Sequence, residues 1–208
     1  MKTLLLMRHA KSSWKQLDLE DHERPLNHRG LKDAPRMGKL LFELELLPQL
    51  VLSSSAVRSR ETVEEMVKVV DFKGEATYLD EFFMAEPEVY LDALRKLPDS
   101  LERVMVLGHN PGLEGLLNML TGRIEPLPTG SIAYITLPIK RWDELDPVQM
   151  DTAELVEIWR PKELLDKDKD KAKEKDKEKE KEKSKGKEKE KSKEKEKPKP
   201  KEKAKKKK

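Results

Sequence analysis

From Asp166 to Lys208 the chain contains no apolar residue larger than alanine or proline. Lysine alternates with Glu and Asp, broken only by a few Ser, Ala, Gly and Pro, so this stretch cannot bury a core and is expected to be disordered. Any fold is therefore confined to residues 1–165, a length suited to one domain. Separating the two pieces also separates their charge. The tail carries 23 Lys against 13 acidic residues, whereas residues 1–165 hold 21 basic and 28 acidic residues, so the overall +3 describes neither. Strict alternation places like charges at i and i+4 and opposite charges at i and i+3, which gives mixed support to a helix. The basic end around Ala204 is suited to weak, salt-sensitive contact with nucleic acid or another anionic surface. No aromatic residue interleaves it, so base stacking is not expected.

The sequence has no cysteine, which excludes a disulfide framework and thiolate chemistry and fits a cytoplasmic setting. The apolar opening from Met1 to Met7 is cut off by Arg8, short of the ~7–15 apolar residues of a signal-peptide core, and reads as a buried strand. No later run approaches the ~20 apolar residues of a membrane-spanning helix, so no membrane contact is expected.

Short apolar runs recur at Thr3–Met7, Leu50–Leu52, Ala76–Leu79, Val104–Leu107, Ile132–Leu137 and Leu155–Trp159, each the length of a strand. Helical patterns fall between most of them, at Leu31–Leu44, Ser59–Val70, Pro87–Leu97 and Leu113–Leu120. This order predicts an α/β fold. The residues with useful chemistry then lie where strands one, two and four run out, the usual place for ligands in an open α/β sheet.

Three such junctions carry that chemistry. At the first, Arg8 and His9 close the opening strand. A neutral imidazole can attack phosphorus, and an adjacent guanidinium can hold the phosphoryl oxygens in its bidentate fork. At the second, small hydroxyl residues from Ser53 to Ser55 lead into a helix with Arg58 near its N-terminus. A cation is disfavoured there unless an anion is bound, and the exposed amides of a helix start attract phosphate. Surface pairs Arg60–Glu64 or Arg58–Thr62 account for one arginine but not for both. At the third, Gly108-His109-Asn110-Pro111 places a second imidazole at a strand end, either as a donor or cation for the same group or as a core histidine satisfied by backbone. Ser12, Ser13 and Asn110 are potential hydrogen-bond donors, though such residues are also common in turns and caps. The charged stretch Asp18 to Arg24 either lines the entrance or, as the preferred reading, is solvated surface, and Trp14 reads as packing rather than recognition. With no Cys and no His pair at ligand spacing beside carboxylates, no metal site is expected.

Together, Arg8-His9-Ala10-Lys11-Ser12-Ser13-Trp14, Arg24-Pro25-Leu26-Asn27 with Arg29-Gly30, Ser54 through Thr62, and Gly108-His109-Asn110-Pro111 resemble the histidine phosphatase superfamily. Within it they resemble the small SixA-type phosphohistidine phosphatases, over nearly all of residues 1–160. The resemblance implies a three-layer sandwich with a central, mostly parallel sheet flanked by helices. It also implies a nucleophile at His9, a phosphate pocket completed by Arg8, Arg58 and His109 with Asn110 and Ser12 as further contacts, and no metal or cofactor. Ala10 stands where the mutase and fructose-bisphosphatase branches usually have glycine, and the long insertions of larger relatives are missing. An open, shallow pocket follows, suited to a phosphorylated protein such as a phosphohistidine signalling domain, in a chain expected to be a monomer. The wider family carries an acidic proton donor just after the third strand, which Glu81 matches, with Asp80 beside it. Hydrolysis of phosphohistidine on a protein is thus the first reading. The others are a small-molecule phosphomonoester phosphatase and a non-enzymatic phosphate-binding module with a charged tail.

Overall fold

Leu4, Leu5, Leu6 and Met7 are all fully buried, the mark of a strand covered on both faces. Burying each such side chain contributes roughly 1.5–3 kcal/mol relative to exposing it. The computed structural model describes residues 1–16, 18–147 and 153–165, and the disorder expected of residues 166–208 lies outside the described residues. Six strands form one sheet: β1 (Lys2–Arg8), β2 (Leu50–Ser54), β3 (Glu75–Leu79), β4 (Arg103–Gly108), β5 (Ile132–Leu137) and β6 (Glu154–Trp159). Their order across it is β3-β2-β4-β1-β5-β6. The first four strands are mutually parallel, while β5 runs antiparallel to β1 and β6 antiparallel to β5.

Four helices cover the sheet: α1 (Gly30–Glu43), α2 (Val57–Val67), α3 (Pro87–Arg95) and α4 (Gly112–Thr121). Alternation along the strands sends Leu4, Leu6, Val104 and Val106 into one cluster with Tyr90, Leu94, Leu113 and Leu117 of α3 and α4. On α1 and α2, Met37, Leu41, Val63 and Met66 are likewise buried. These two helices approach closely at Gly38, where an added Cβ would stand 2.2 Å from the Met66 carbonyl oxygen. The expected α/β architecture is therefore observed, with all six strands.

One register decides the position of the site. Arg8 of β1 pairs with Gly108 of β4 at the carboxyl ends of both strands. The next residue in each chain segment is a histidine, so the parallel ladder delivers His9 and His109 side by side. The His9 amide extends the ladder, donating to the Gly108 carbonyl at 3.2 Å. Because β2 is the other neighbour of β4, the loop after Ser54 opens at the same edge.

Candidate active site

A cavity of about 240 Å³ opens at these strand ends, lined by Arg8, His9, Lys11, Ser12, Trp14, Asp21, Arg24, Arg58, Met84, His109, Asn110 and Thr129. Six side chains expected from the sequence, Arg8, His9, Ser12, Arg58, His109 and Asn110, are brought together here. The two imidazole centroids are 5.0 Å apart. Arg58 lies in the first turn of α2 yet is only 3% exposed, because its side chain folds back over both histidines. Its Nε donates to His9 Nε2 at 3.3 Å and its Nη2 to His109 Nδ1 at 3.3 Å. The alternative reading, a surface pair between the side chains of Arg58 and Thr62, is not what forms. Thr62 instead donates its hydroxyl to the Arg58 carbonyl at 2.6 Å and accepts from the Ala10 amide at 3.0 Å, tying α2 to the loop after β1. Arg60 points away and lies over the Tyr78 ring.

These contacts set both tautomers. A guanidinium only donates, so His9 Nε2 and His109 Nδ1 must be the unprotonated nitrogens. The proton of His9 then sits on Nδ1 and is donated to the Ala10 carbonyl at 2.7 Å. That of His109 sits on Nε2 and is donated to Ser54 Oγ at 2.9 Å. His9 thus presents a lone pair on Nε2 to the cavity, the form in which imidazole attacks phosphorus. In this geometry His109 accepts from Arg58, and it becomes a donor at Nδ1 only on gaining a proton.

Burial is the main reason that both imidazoles are hard to protonate, from an ordinary value of 6.5 down to about 3. For His9 the Ala10 carbonyl opposes the shift, while the charges of Arg58, Arg8 and Arg24 reinforce it. For His109 the next contributors are His9 and Arg58. Both rings are neutral at neutral pH. Unfolding releases them to titrate near 6.5, so between about pH 6.5 and about pH 3 the unfolded chain binds more protons and stability is lost as the pH is lowered. The melting temperature is expected to drop on acidification from about pH 7 to about pH 4, and a His9→Ala protein should show a shallower drop. Equal slopes in thermal melts of the two proteins would contradict the neutral, buried state of His9.

Arg8 donates to the Leu127 carbonyl at 2.9 Å, while its Nε is buried with no partner among the described residues. Asn110 donates to Glu114 at 2.6 Å and to the Leu127 carbonyl at 3.0 Å, which fixes its amide and leaves its Oδ1 unpaired. Ser12 accepts from Arg24 at 2.8 Å and keeps its own hydroxyl proton to donate.

Two residues of the charged stretch, Asp21 and Arg24, line the cavity, whereas Asp18, Glu20 and Glu23 are exposed. Residues 24–27 run back along residues 11–13, held by a bridge between Ser12 and Leu26 and by backbone bonds Ser13 to Pro25 and Asn27 to Lys11. Arg24 is consequently 7% exposed, with its guanidinium 3.2 Å from the Trp14 ring centroid. Asp21 and His22 sit on a single 3-10 turn, Asp21–Glu23. His22 bonds Ser55 Oγ at 2.9 Å and meets Phe83 edge-on, and Phe83 in turn meets His109. The recurrence of Arg24-Pro25-Leu26-Asn27 among the family motifs was the available signal for Arg24. Asp21, Met84 and Thr129 had none.

Glu81 is the residue that the fold does not bring to this cavity. It lies on the 3-10 turn Asp80–Phe82, where Phe82 is fully buried and its neighbours Asp80 and Glu81 turn outward. Glu81 borders a separate hollow with Leu79, Val89, Asp92 and Lys96. On a turn this short, anchoring Phe82 in the core commits the adjacent side chain to the opposite side. Glu81→Gln is therefore expected to keep kcat/KM within about twofold for a phosphoramidate and an alkyl phosphate alike. A large loss confined to the alkyl phosphate would restore Glu81 as a proton donor.

Among the described residues no group of three His, Cys, Asp or Glu side chains is placed to hold a metal ion. No helix among them is long and apolar enough to cross a membrane.

Comparison with known proteins agrees with this architecture. Residues 4–83 match the histidine phosphatase superfamily (branch 1). An uncharacterized chloroplastic protein of Arabidopsis thaliana is 37% identical over 153 residues, 69% of this chain and 70% of that protein. The putative phosphohistidine phosphatase SixA from Agrobacterium tumefaciens has a TM-score of 0.66 at 26% identity, covering 77% of this chain and 98% of that one. The protein histidine phosphatase SixA complexed with tungstate shares the fold, with a TM-score of 0.67 at 22% identity over 78% of this chain and 99% of that one. The chain belongs to the histidine phosphatase superfamily, and within it to the SixA type; its class of activity is that of a phosphatase.

Proposed function

We propose that this phosphatase removes the phosphoryl group from phosphohistidine on a protein, through a covalent phosphohistidine at His9, without a metal. The observation that carries this reading is the His9 ring itself, locked by the Ala10 carbonyl so that its unprotonated Nε2 faces the cavity. In the first step Nε2 attacks phosphorus as the bond from phosphorus to the substrate nitrogen breaks. The incoming group displaces the long Arg58 contacts, Arg8 and Arg58 hold the equatorial oxygens in line, and His109 joins them as a donor at Nδ1 on gaining a proton. The departing imidazole takes a proton from solvent. Water then attacks the phosphoenzyme, releasing inorganic phosphate and restoring neutral His9. Ser12 and Arg24 add donors at the rim, while Asn110, whose NH2 is already committed to Glu114 and Leu127, orients the wall.

A protein substrate suits the mouth of the cavity. Trp14 and Met84, which line it, are 66% and 52% exposed, so a bulky phosphorylated surface can reach His9. A phosphoramidate also suits a pocket to which Glu81 does not contribute, since imidazole leaves with less acid assistance than an alkoxide. The test incubates wild-type and His9→Ala protein, with EDTA, with a phosphohistidine peptide and an alkyl phosphomonoester, and follows phosphate release and acid-labile phosphoenzyme. EDTA-resistant, His9-dependent hydrolysis of the peptide supports the proposal. A preference for the monoester would replace it with a small-molecule phosphatase.

A further inference from the structure

Four cationic side chains line the cavity, Arg8, Lys11, Arg24 and Arg58, and among the described lining residues one carboxylate faces them, that of Asp21. Its Oδ1 accepts from Arg24 Nη1 at 2.5 Å and its Oδ2 from Arg58 Nη2 at 3.0 Å. The Asp21 carbonyl also accepts from Arg58 Nη1. Two oxygens bridging two guanidinium groups is the arrangement that a phosphoryl group makes with a pair of arginines.

Partial burial works to raise the Asp21 carboxyl, but the hydrogen bonds and charges of Arg24 and Arg58 outweigh it and hold the group below the usual carboxylate range. Asp21 is thus an anion, and it uses donors that a phosphoryl group needs. Like charges cannot share that position at low cost in a partly buried site.

The turn that carries Asp21 is anchored by the residues just after the exposed carboxylate. His22 is tied to Ser55, and Arg24 is tied to Ser12, Ser13 and Trp14. The Asp21 side chain itself is 48% exposed, so rotation about its own bonds can carry it into solvent without moving the backbone.

We propose that the Asp21 carboxylate is a built-in competitor for the phosphoryl group: it holds the anion position between Arg24 and Arg58, gives way when a phosphoryl group binds, and returns to expel inorganic phosphate. This rests on the phosphoryl pocket assigned above. A pocket with four cations and no competitor would hold the released phosphate tightly and slow turnover. Asp21 lowers affinity for the product at the same donors that stabilise the transferring group.

The experiment compares the full-length wild-type, Asp21→Asn and Asp21→Ala proteins by calorimetric titration with tungstate and with inorganic phosphate, with thermal melts confirming that each is folded. Both variants should bind either oxyanion more tightly by about tenfold, or about 1.4 kcal/mol. The inhibition constant for phosphate in turnover should fall by the same factor. Equal or weaker oxyanion binding by the two variants overturns the proposal and leaves Asp21 as a positioning residue for Arg58. Because titration needs no turnover, failure to hydrolyse phosphohistidine would remove the proposed substrate but leave this comparison intact. Absence of oxyanion binding in all three proteins would overturn the pocket and the competitor together.

Discussion

Replacing His9 with alanine is expected to abolish phosphoenzyme formation and to lower turnover by at least about four orders of magnitude, the scale on which removal of a nucleophile acts. The expectation follows from geometry. His109, the nearest alternative imidazole, gives its Nε2 proton to Ser54 and is buried more deeply than His9, so its Nδ1 lone pair is the less accessible to phosphorus. His22 is engaged with Ser55 and Phe83. The measurement is rapid-quench labelling with a phosphorylated substrate, followed by alkaline gel analysis that preserves phosphohistidine. The fold should survive, because His9 is joined to the chain's scaffold through its backbone bond to Gly108, which alanine keeps. Label retained in the His9→Ala protein would place the nucleophile elsewhere and sink the proposed mechanism.

Arg58→Ala is expected to lower kcat/KM by about 10²–10³ while leaving a slow, detectable phosphoenzyme at His9. The loss has two sources. Arg58 supplies donors for the transferring group, and its Nε and Nη2 also hold the tautomers of the two histidines. Without it the charge that helps keep His9 neutral is reduced, although burial, the larger cause, remains. Arg58→Lys should restore only part of the activity, since a single ammonium cannot reach both imidazoles and Asp21 in the fixed directions of a guanidinium fork. Steady-state kinetics should show the defect in kcat as well as KM. A change in KM alone would mean that Arg58 only binds substrate and adds nothing in the transition state.

The strands were legible because each is a short apolar run ended by a polar or special residue, and boundaries shifted by one or two positions. The start of α2 moved from Ser59 to Val57, which puts Arg58 inside the first turn and accounts for its backward reach over the sheet edge. Arg8, His9, Arg58 and His109 were legible for a related reason, since each lies within a few residues of a strand end and strand ends in a parallel sheet share one edge. Asp21 was not, and Arg24 was so only through the family motif Arg24-Pro25-Leu26-Asn27. Their segment has the composition of exposed loop, and nothing local distinguishes it from the neighbouring Asp18 and Glu20, which are exposed. Glu81 shows the reverse case: its position after the third strand suggested a place in the site, and burial of Phe82 turned it away.

The amino-acid sequence by itself determined the α/β order and the two histidines and two arginines available at strand ends. Hydrophobic period and composition are local properties and can be read residue by residue. The tertiary structure alone decided that Arg8 pairs with Gly108, that residues 24–27 fold back on residues 11–13, and that Asp21 rather than Glu81 is the carboxylate lining the cavity that holds His9. Each of these depends on a non-local pairing, whose register is set by the packing of both faces of the sheet together rather than by any one segment.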